Sequence, residues 1–405
     1  MNTITQEAVG DLQKHAGATT PVQPRKYSGN LSEPVFEELS ETLFASLRRS
    51  DQRRRGLDYL RGLLRTPGRK SIRNMAALLG GSGTGQSLHH FICNSTWEWS
   101  PVRAALAGYL ARVAPPLAWV VRPMVIPKTG QHSVGVGRYF SPVDGQVLNA
   151  QQAVGLWAVS DRTGVPLNWH LRLPEQWHDV SDCGVPSPRP APPRPLGDCA
   201  VEMCREALAD WGLPPRPVVV DIGEANPLPT LRRLTAEGLS SMVRVPGDLP
   251  LTVVDEALTG HRGNILPAAQ IMRAARELRR PVTWRERGPR PVRRTALVAA
   301  VRVRSHPDCG RDTVLVGIGG IGAEWLTELW ATSLPASWAA TAVPWMSGFV
   351  RAVDRDFETI SEHVGIRDYV GRSFSGWHRH VTLASAAHAV VALSSTPADL
   401  VGHAS

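Results

Sequence analysis

Apolar positions along the chain change period twice. Between Phe36 and about Leu110 they recur at helical spacing: FEELSETLFASL puts Phe36, Leu39, Leu43, Phe44 and Leu47 on one broad face, and DYLRGLL continues the habit. Pro67 and Gly68 break the run, after which SIRNMAALLG predicts a short helix capped by Ser71, and GSGTGQSLHHF and VRAALAGYLARV predict two more. From residue 118 the period becomes that of strands. AWVVRPMVI, SVGVGRYFSP, QVLNAQQAVGLWAVS and VPLNWHLRLP, joined by short turns, predict an antiparallel meander. The segment CGVPSPRPAPPRPLG holds too much proline for a helix or an interior strand and reads as an exposed loop.

Helical spacing returns in CAVEMCREALADWG, which leads into VVVDIGE, a short wholly apolar strand ending at Asp221, with a helix following Pro229. A strand between two helices is normally parallel and central. The order strand, strand, strand, helix, strand, helix predicts an α/β protein with a ribonuclease-H-like core. In that architecture a carboxylate on the first strand faces another at the end of the fourth. The expected divisions are a flexible tail at 1–30, a helical DNA-binding domain at 31–115, the first part of the core at 116–245, a strand-rich insertion at 246–342, closing core helices at 343–395 and a tail at 396–405.

Charge adds a partner class. The chain carries 45 Lys and Arg against 36 Asp and Glu, a formal charge of +9. Ten basic residues lie between Arg48 and Arg73 against Asp51 and Asp58, and eleven between Arg273 and Arg304 against Glu277 and Glu286. Two separated stretches, both favouring Arg over Lys, suit a long polyanion better than a small anion. The five cysteines, Cys93, Cys183, Cys199, Cys204 and Cys309, are odd in number and match no common zinc spacing, so a reduced cytoplasmic setting is expected, with Cys199 and Cys204 as buried small hydrophobes. No apolar run reaches the ~18 residues of a membrane span, and MNTITQEAVGDLQKH has no signal-peptide core.

Phosphodiester cleavage on such a core requires two divalent ions about 3.5 to 4 Å apart, held by hard carboxylate oxygens. The positions to inspect are the first strand near Arg122, the fourth strand at Asp221 and a late helix near Val370. Only Asp221 is acidic; Arg122 would repel a cation and Pro123 offers no side-chain oxygen. Glu224 could contribute only by turning back from its loop. His378 and His380 are two apart and cannot share a helical face, which argues against a local His metal site. Phosphate contacts are assigned to Arg48, Arg49, Arg53, Arg54, Arg55, Arg69, Lys70, Lys128, Arg285, Arg287, Arg293, Arg294, Arg372 and Arg379, with Trp377 packing or stacking. SIRNMAALLG followed by QSLHHFI resembles a helix-turn-helix only loosely, because Gly80 to Gly85 is a slack connection.

YLRGLL, Pro-Lys-Thr-Gly at 127–130, HSVGVGRYF, NAQQAVGLWAVS, LPEQWHD, VVVDIGE, VTWRERG, EWLTELW and GRSFSGWHRHVTL together resemble insertion-sequence transposases of the DDE class, over roughly residues 36 to 392. The resemblance implies double-stranded DNA as partner and Mg²⁺ as cofactor. The family writes its first strand with two aspartates and a threonine, where this chain has Arg122, Pro123 and Met124; it keeps the second acid at Asp221, and the third is expected just before Gly-Arg-Ser, where Val370 stands. The expectation is therefore a catalytically inactive, sequence-selective DNA-binding protein without a metal cofactor, a nucleoid-associated homodimer acting as a transcriptional regulator. Two alternatives stay open: a Mg²⁺-dependent transposase using substitute carboxylates, and a non-catalytic protein-interaction scaffold.

Overall fold

The computed structural model describes residues 31–80, 82–141, 145–174, 177, 194–286, 292–305, 312–320 and 325–394. The expected tails at 1–30 and 396–405 and most of the proline-rich loop lie outside these residues. Helices α1 (Glu33–Phe44), α2 (Ser50–Arg65), α3 (Ile72–Leu79), α4 (Ser82–His89) and α5 (Trp99–Val113) open the chain. Ser71 caps α3 as its sequence requires, its hydroxyl accepting from the Asn74 amide at 3.2 Å. Phe36, Leu39 and Leu43 of α1 and Tyr59, Leu60 and Leu63 of α2 are buried, and this apolar face is what fixes the helices to the rest of the molecule.

The strands join one mixed sheet. β1 (Ala118–Pro127), β2 (Val136–Ser141), β3 (Gln146–Val159) and β4 (Gly164–Arg172) form the meander: β3 pairs antiparallel with β1 on one edge and with both β2 and β4 on the other. After α6 (Leu196–Arg205), β5 (Val218–Val220) lies parallel between β1 and β6 (Ser241–Arg244), with α7 (Leu228–Ala236) as the crossover. The order β4-β3-β1-β5-β6 is that of a ribonuclease-H-like core. The three valines of β5 are all buried, which explains their continuous apolar run: a strand parallel to both neighbours, with both faces covered, has no solvent side on which to alternate.

The insertion supplies β7 (Pro250–Val253), β8 (Ile265–Pro267), α8 (Ala268–Ala274), β9 (Arg280–Glu286), β10 (Val292–Arg304), β11 (Thr313–Gly319) and β12 (Glu328–Thr332). It does not stand apart. β12 pairs with β6, so the sheet runs on from the core through β12, β11 and β10 to β7 and β8. The closing helix α9 (Ala336–Asp356) begins ahead of residue 343 and packs across β1, β4, β9 and β10. Helix α10 (Phe374–Ser394) is buried from Gly376 to Val391, the mark of a helix at the centre of a molecule rather than on its surface.

Gly155 sits at the middle of β3, opposite both Arg122 and Trp169. A Cβ there would come within 2.6 Å of the Trp169 ring. Gly155→Ala is therefore expected to cost about 1–3 kcal/mol through overpacking, measurable as a lower denaturant midpoint at unchanged slope.

Candidate functional site

The side chains that matter meet where β1, the end of β5 and α9 converge. Pairing of Val121 with Val220, and the Asp221 amide donating to the Val121 carbonyl at 3.1 Å, bring Asp221 to the flank of Arg122. Arg122 Nη1 donates to Asp221 Oδ2 at 2.8 Å and to its carbonyl at 2.9 Å. The other side of the guanidinium forks onto Asp354 of α9, with Nε to Oδ1 at 3.0 Å and Nη2 to Oδ1 and Oδ2 at 2.8 and 3.1 Å. One arginine thus fills the gap between two carboxylates from different elements, using its planar fork for one and its remaining donor for the other.

A chain of alternating charge runs outward from this pair. Arg244 of β6 lies 4.0 Å from Asp221 and 3.5 Å from Glu328 of β12, its guanidinium stacked over Trp330. Glu328 also meets Arg351 of α9 at 3.2 Å; Arg351 reaches Glu286 of β9 at 2.6 Å, and Glu286 accepts from Arg294 of β10 at 2.5 Å. Flanking Arg294 and Arg351 hold the Glu286 carboxyl below the usual range against the opposing effect of its partial burial. Four arginines and four acids alternate from Arg294 to Asp354. Beside them a cleft of about 460 Å³ is lined by Arg122, Pro123, Trp157, Trp169, Asp354, Phe357, Glu358 and Arg367 among others.

Residues 42–308 match the family described as DDE superfamily endonuclease. The chain belongs to that family. No curated protein matches it. Enzymes of this superfamily typically work with Mg²⁺, an ion that takes hard oxygen donors. A DDE-type centre needs carboxylates open toward a common point, and here that point carries a guanidinium already bonded to both acids. Among the described residues no three His, Cys, Asp or Glu side chains gather to hold an ion. The donor set does not fit a pair of divalent cations.

Val370 is not on the closing helix; it lies in the loop before α10, 56% exposed, its carbonyl accepting from Ser133 at 3.4 Å. The acid from the closing helix is Asp354, which lies beyond the family match. Sequence reading missed it by anchoring on Gly-Arg-Ser; the available signal was an acid following the buried stripe Val343, Met346, Phe349, Val353. Pro123 is exposed on β1 and lines the cleft. Glu224 does not turn back: its carboxylate accepts from the Gly197 amide at 2.8 Å and the Thr230 hydroxyl at 2.9 Å, pinning the start of α6 to α7.

Nor do all the basic residues assigned to phosphate reach solvent. Arg379 is buried, donating to the carbonyls of Trp97 and Ile92 at 2.9 and 3.0 Å. Lys70 is buried with its ammonium on the Thr66 carbonyl, and burial pushes its pKa down. Lys128 donates to the Tyr369 carbonyl at 2.7 Å, and burial lowers it to about 8. Arg379 and Lys70 are thus spent on carbonyls inside the molecule, while Lys128 is half-buried against the loop ahead of α10. Arg49, Arg53, Arg55 and Arg294 are engaged by Asp51, by backbone carbonyls, by Asp58 and by Glu286 respectively. Arg48, Arg54, Arg69, Arg285, Arg293 and Arg372 are exposed, and Arg287 lies outside the described residues. His378 and His380 are buried and hydrogen-bonded inside the molecule, to Arg103 and to Tyr59 and Gly365 respectively, and Trp377 is buried beside them. Cys199 and Cys204 are likewise buried, and burial raises their thiols to about 11 and about 12.

Proposed function

We propose that this chain is a double-stranded-DNA-binding protein that does not cut its target, works as a homodimer on a preferred sequence, and regulates transcription by occupying that site. The observation carrying this reading is the Arg122 guanidinium seated between Asp221 and Asp354, where metal-dependent phosphodiester chemistry would need open carboxylate. The exposed arginines Arg48, Arg54 and Arg69 on and around α2 support the binding half. They supply backbone contacts, which confer affinity and register, while sequence preference has to come from base edges. A two-fold dimer suits paired or palindromic sites.

One observation favours a second reading, cleavage with substitute carboxylates: Asp354 does approach Asp221 through their shared partner. It requires Arg122 to withdraw from both. Genome-wide capture of bound DNA, followed by binding of the best fragment with EDTA, Mg²⁺ or Mn²⁺, separates the two. The expected result is saturable, site-selective binding that is indifferent to chelator and leaves both strands intact. Metal-dependent nicking that disappears in Asp354→Asn would overturn it in favour of the transposase.

A further inference from the structure

The β9–β10 ribbon has two chemically opposite faces. Register places Arg294 opposite Trp284 and Val292 opposite Glu286 on one side, Arg293 opposite Arg285 and Thr295 opposite Thr283 on the other. The first side rests on α9: Trp284 is half-buried, and Glu286 is clasped by Arg294 and Arg351. On the second side Thr283, Arg285, Arg293 and Thr295 are all exposed, and the two threonine hydroxyls share a hydrogen bond of 2.9 Å. Neither Arg285 nor Arg293 has an acidic partner among the described residues, although both lie within a residue of an arginine or glutamate that does. Like charges directly opposite on adjacent strands are destabilising, so this pair is held at a cost to the fold.

From this we infer that the outer face of the β9–β10 ribbon is a docking surface for the phosphodiester backbone of duplex DNA, with Arg285 and Arg293 as the charged contacts and the bonded Thr283–Thr295 hydroxyl pair, which keeps one free O–H, as a neutral donor beside them. The inference rests on the DNA-binding reading above and adds where the duplex lies. A two-stranded ribbon is of a size to enter a major groove or lie along its edge, and paired guanidiniums match phosphate oxygens. Position supports it as well. Arg351, which braces the ribbon through Glu286, is one helical turn from Asp354, which holds Arg122. A duplex seated on the ribbon would therefore run beside the closed acidic centre.

The test uses the full chain, a mixed-sequence duplex several helical turns long, and a salt titration of affinity. Arg285→Gln/Arg293→Gln is expected to weaken binding about tenfold or more at low salt and to reduce the slope of log K against log[salt] by about one to two. Its melting temperature is expected to equal or exceed that of the wild type, because a like-charge pair has been removed. Arg294→Gln, on the braced face, is expected to lower the melting temperature and leave the salt slope unchanged. A wild-type chain that binds duplex while the double variant keeps the full slope overturns the ribbon assignment alone; a double variant that melts earlier overturns it too, by making the pair structural. A wild-type chain that ignores duplex DNA overturns the function reading and this inference with it.

Discussion

Replacing Arg122 with aspartate is expected to make the stability of the protein depend on divalent cations. The wild-type guanidinium bonds Asp221 on one side and Asp354 on the other, so it carries the positive charge that lets two carboxylates converge. Arg122→Asp removes that charge and adds a third acid. Breaking a buried ion pair typically costs about 3–5 kcal/mol, and because Asp354 is 45% exposed the expected loss without metal is nearer ~2–4 kcal/mol. Mg²⁺ or Mn²⁺ should then restore stability in a concentration-dependent way, as any ligand of the folded state does. The wild type should show no such dependence. Arg122→Met, which keeps an unbranched stem but not the charge, should be destabilised without gaining a metal response. Thermal melts of the three proteins with EDTA and with each ion provide the check, and an Arg122→Asp variant that melts like the wild type and ignores both ions would refute the idea that this arginine stands in for a bound cation.

Acid is expected to destabilise the protein well above the carboxylate range, through three imidazoles buried on α10. His380 accepts from the Tyr59 hydroxyl at Nδ1, 2.8 Å away, and donates from Nε2 to the Gly365 carbonyl at 2.9 Å. His388 does the same with the Ser361 hydroxyl and the Gly164 carbonyl, each at 2.8 Å. His378 presents Nδ1 to Arg103 Nη2 at 3.1 Å, a donor that cannot turn round to accept. All three are neutral Nε2–H tautomers. Burial is the main force lowering them, to about 4 for His380 and about 3 for His388; for His378 burial is joined by the Arg103 charge.

In the unfolded chain these groups titrate near 6.5, so below that pH the unfolded state binds more protons and stability falls with pH. The contribution is fully present above about 6.5 and is lost progressively as pH drops toward the folded values. Each group adds a slope of about 1.4 kcal/mol per pH unit, and three together about 4 kcal/mol per unit near pH 5. His170 and His363, also lowered chiefly by burial, act in the same direction. Asp356, whose carboxyl burial raises, acts in the opposite direction. Denaturant titrations at stepped pH measure the slope, and His388→Gln should reduce it by about one proton. Equal stability at pH 7 and pH 5 would contradict the account.

Much of the core was legible in the chain itself because a strand's surroundings are written in its period. The unbroken Val218-Val219-Val220 required a strand covered on both faces, and the alternating, turn-punctuated stretch from 118 to 172 required an antiparallel meander. Together they place Asp221 beside Arg122 before any coordinate is known. The insertion was legible as strands but not as a continuation of the same sheet. Its pairing of Trp330 with Arg244 joins residues far apart in the chain, and no local pattern encodes such a partnership.

What the sequence alone determined is the order of elements, the central apolar strand, the absence of carboxylate from β1 and the excess of arginine. Tertiary structure decided which acid closes the site and which cations face water. Asp354 and Asp356 look alike along the chain, yet the first grips Arg122 while the second is buried against Gly164 and Thr163. Arg103, unremarkable in its helical context, is fully enclosed, bonded to Thr382 and Asn168 at 2.7 Å each, and lowered by burial to about 9. Arg285 and Arg379 differ in the same way, one exposed on a ribbon and the other inside the molecule. The physical reason is that a long charged side chain is adaptable: its charge is a property of the residue, but its hydration and its partners belong to the packing around it.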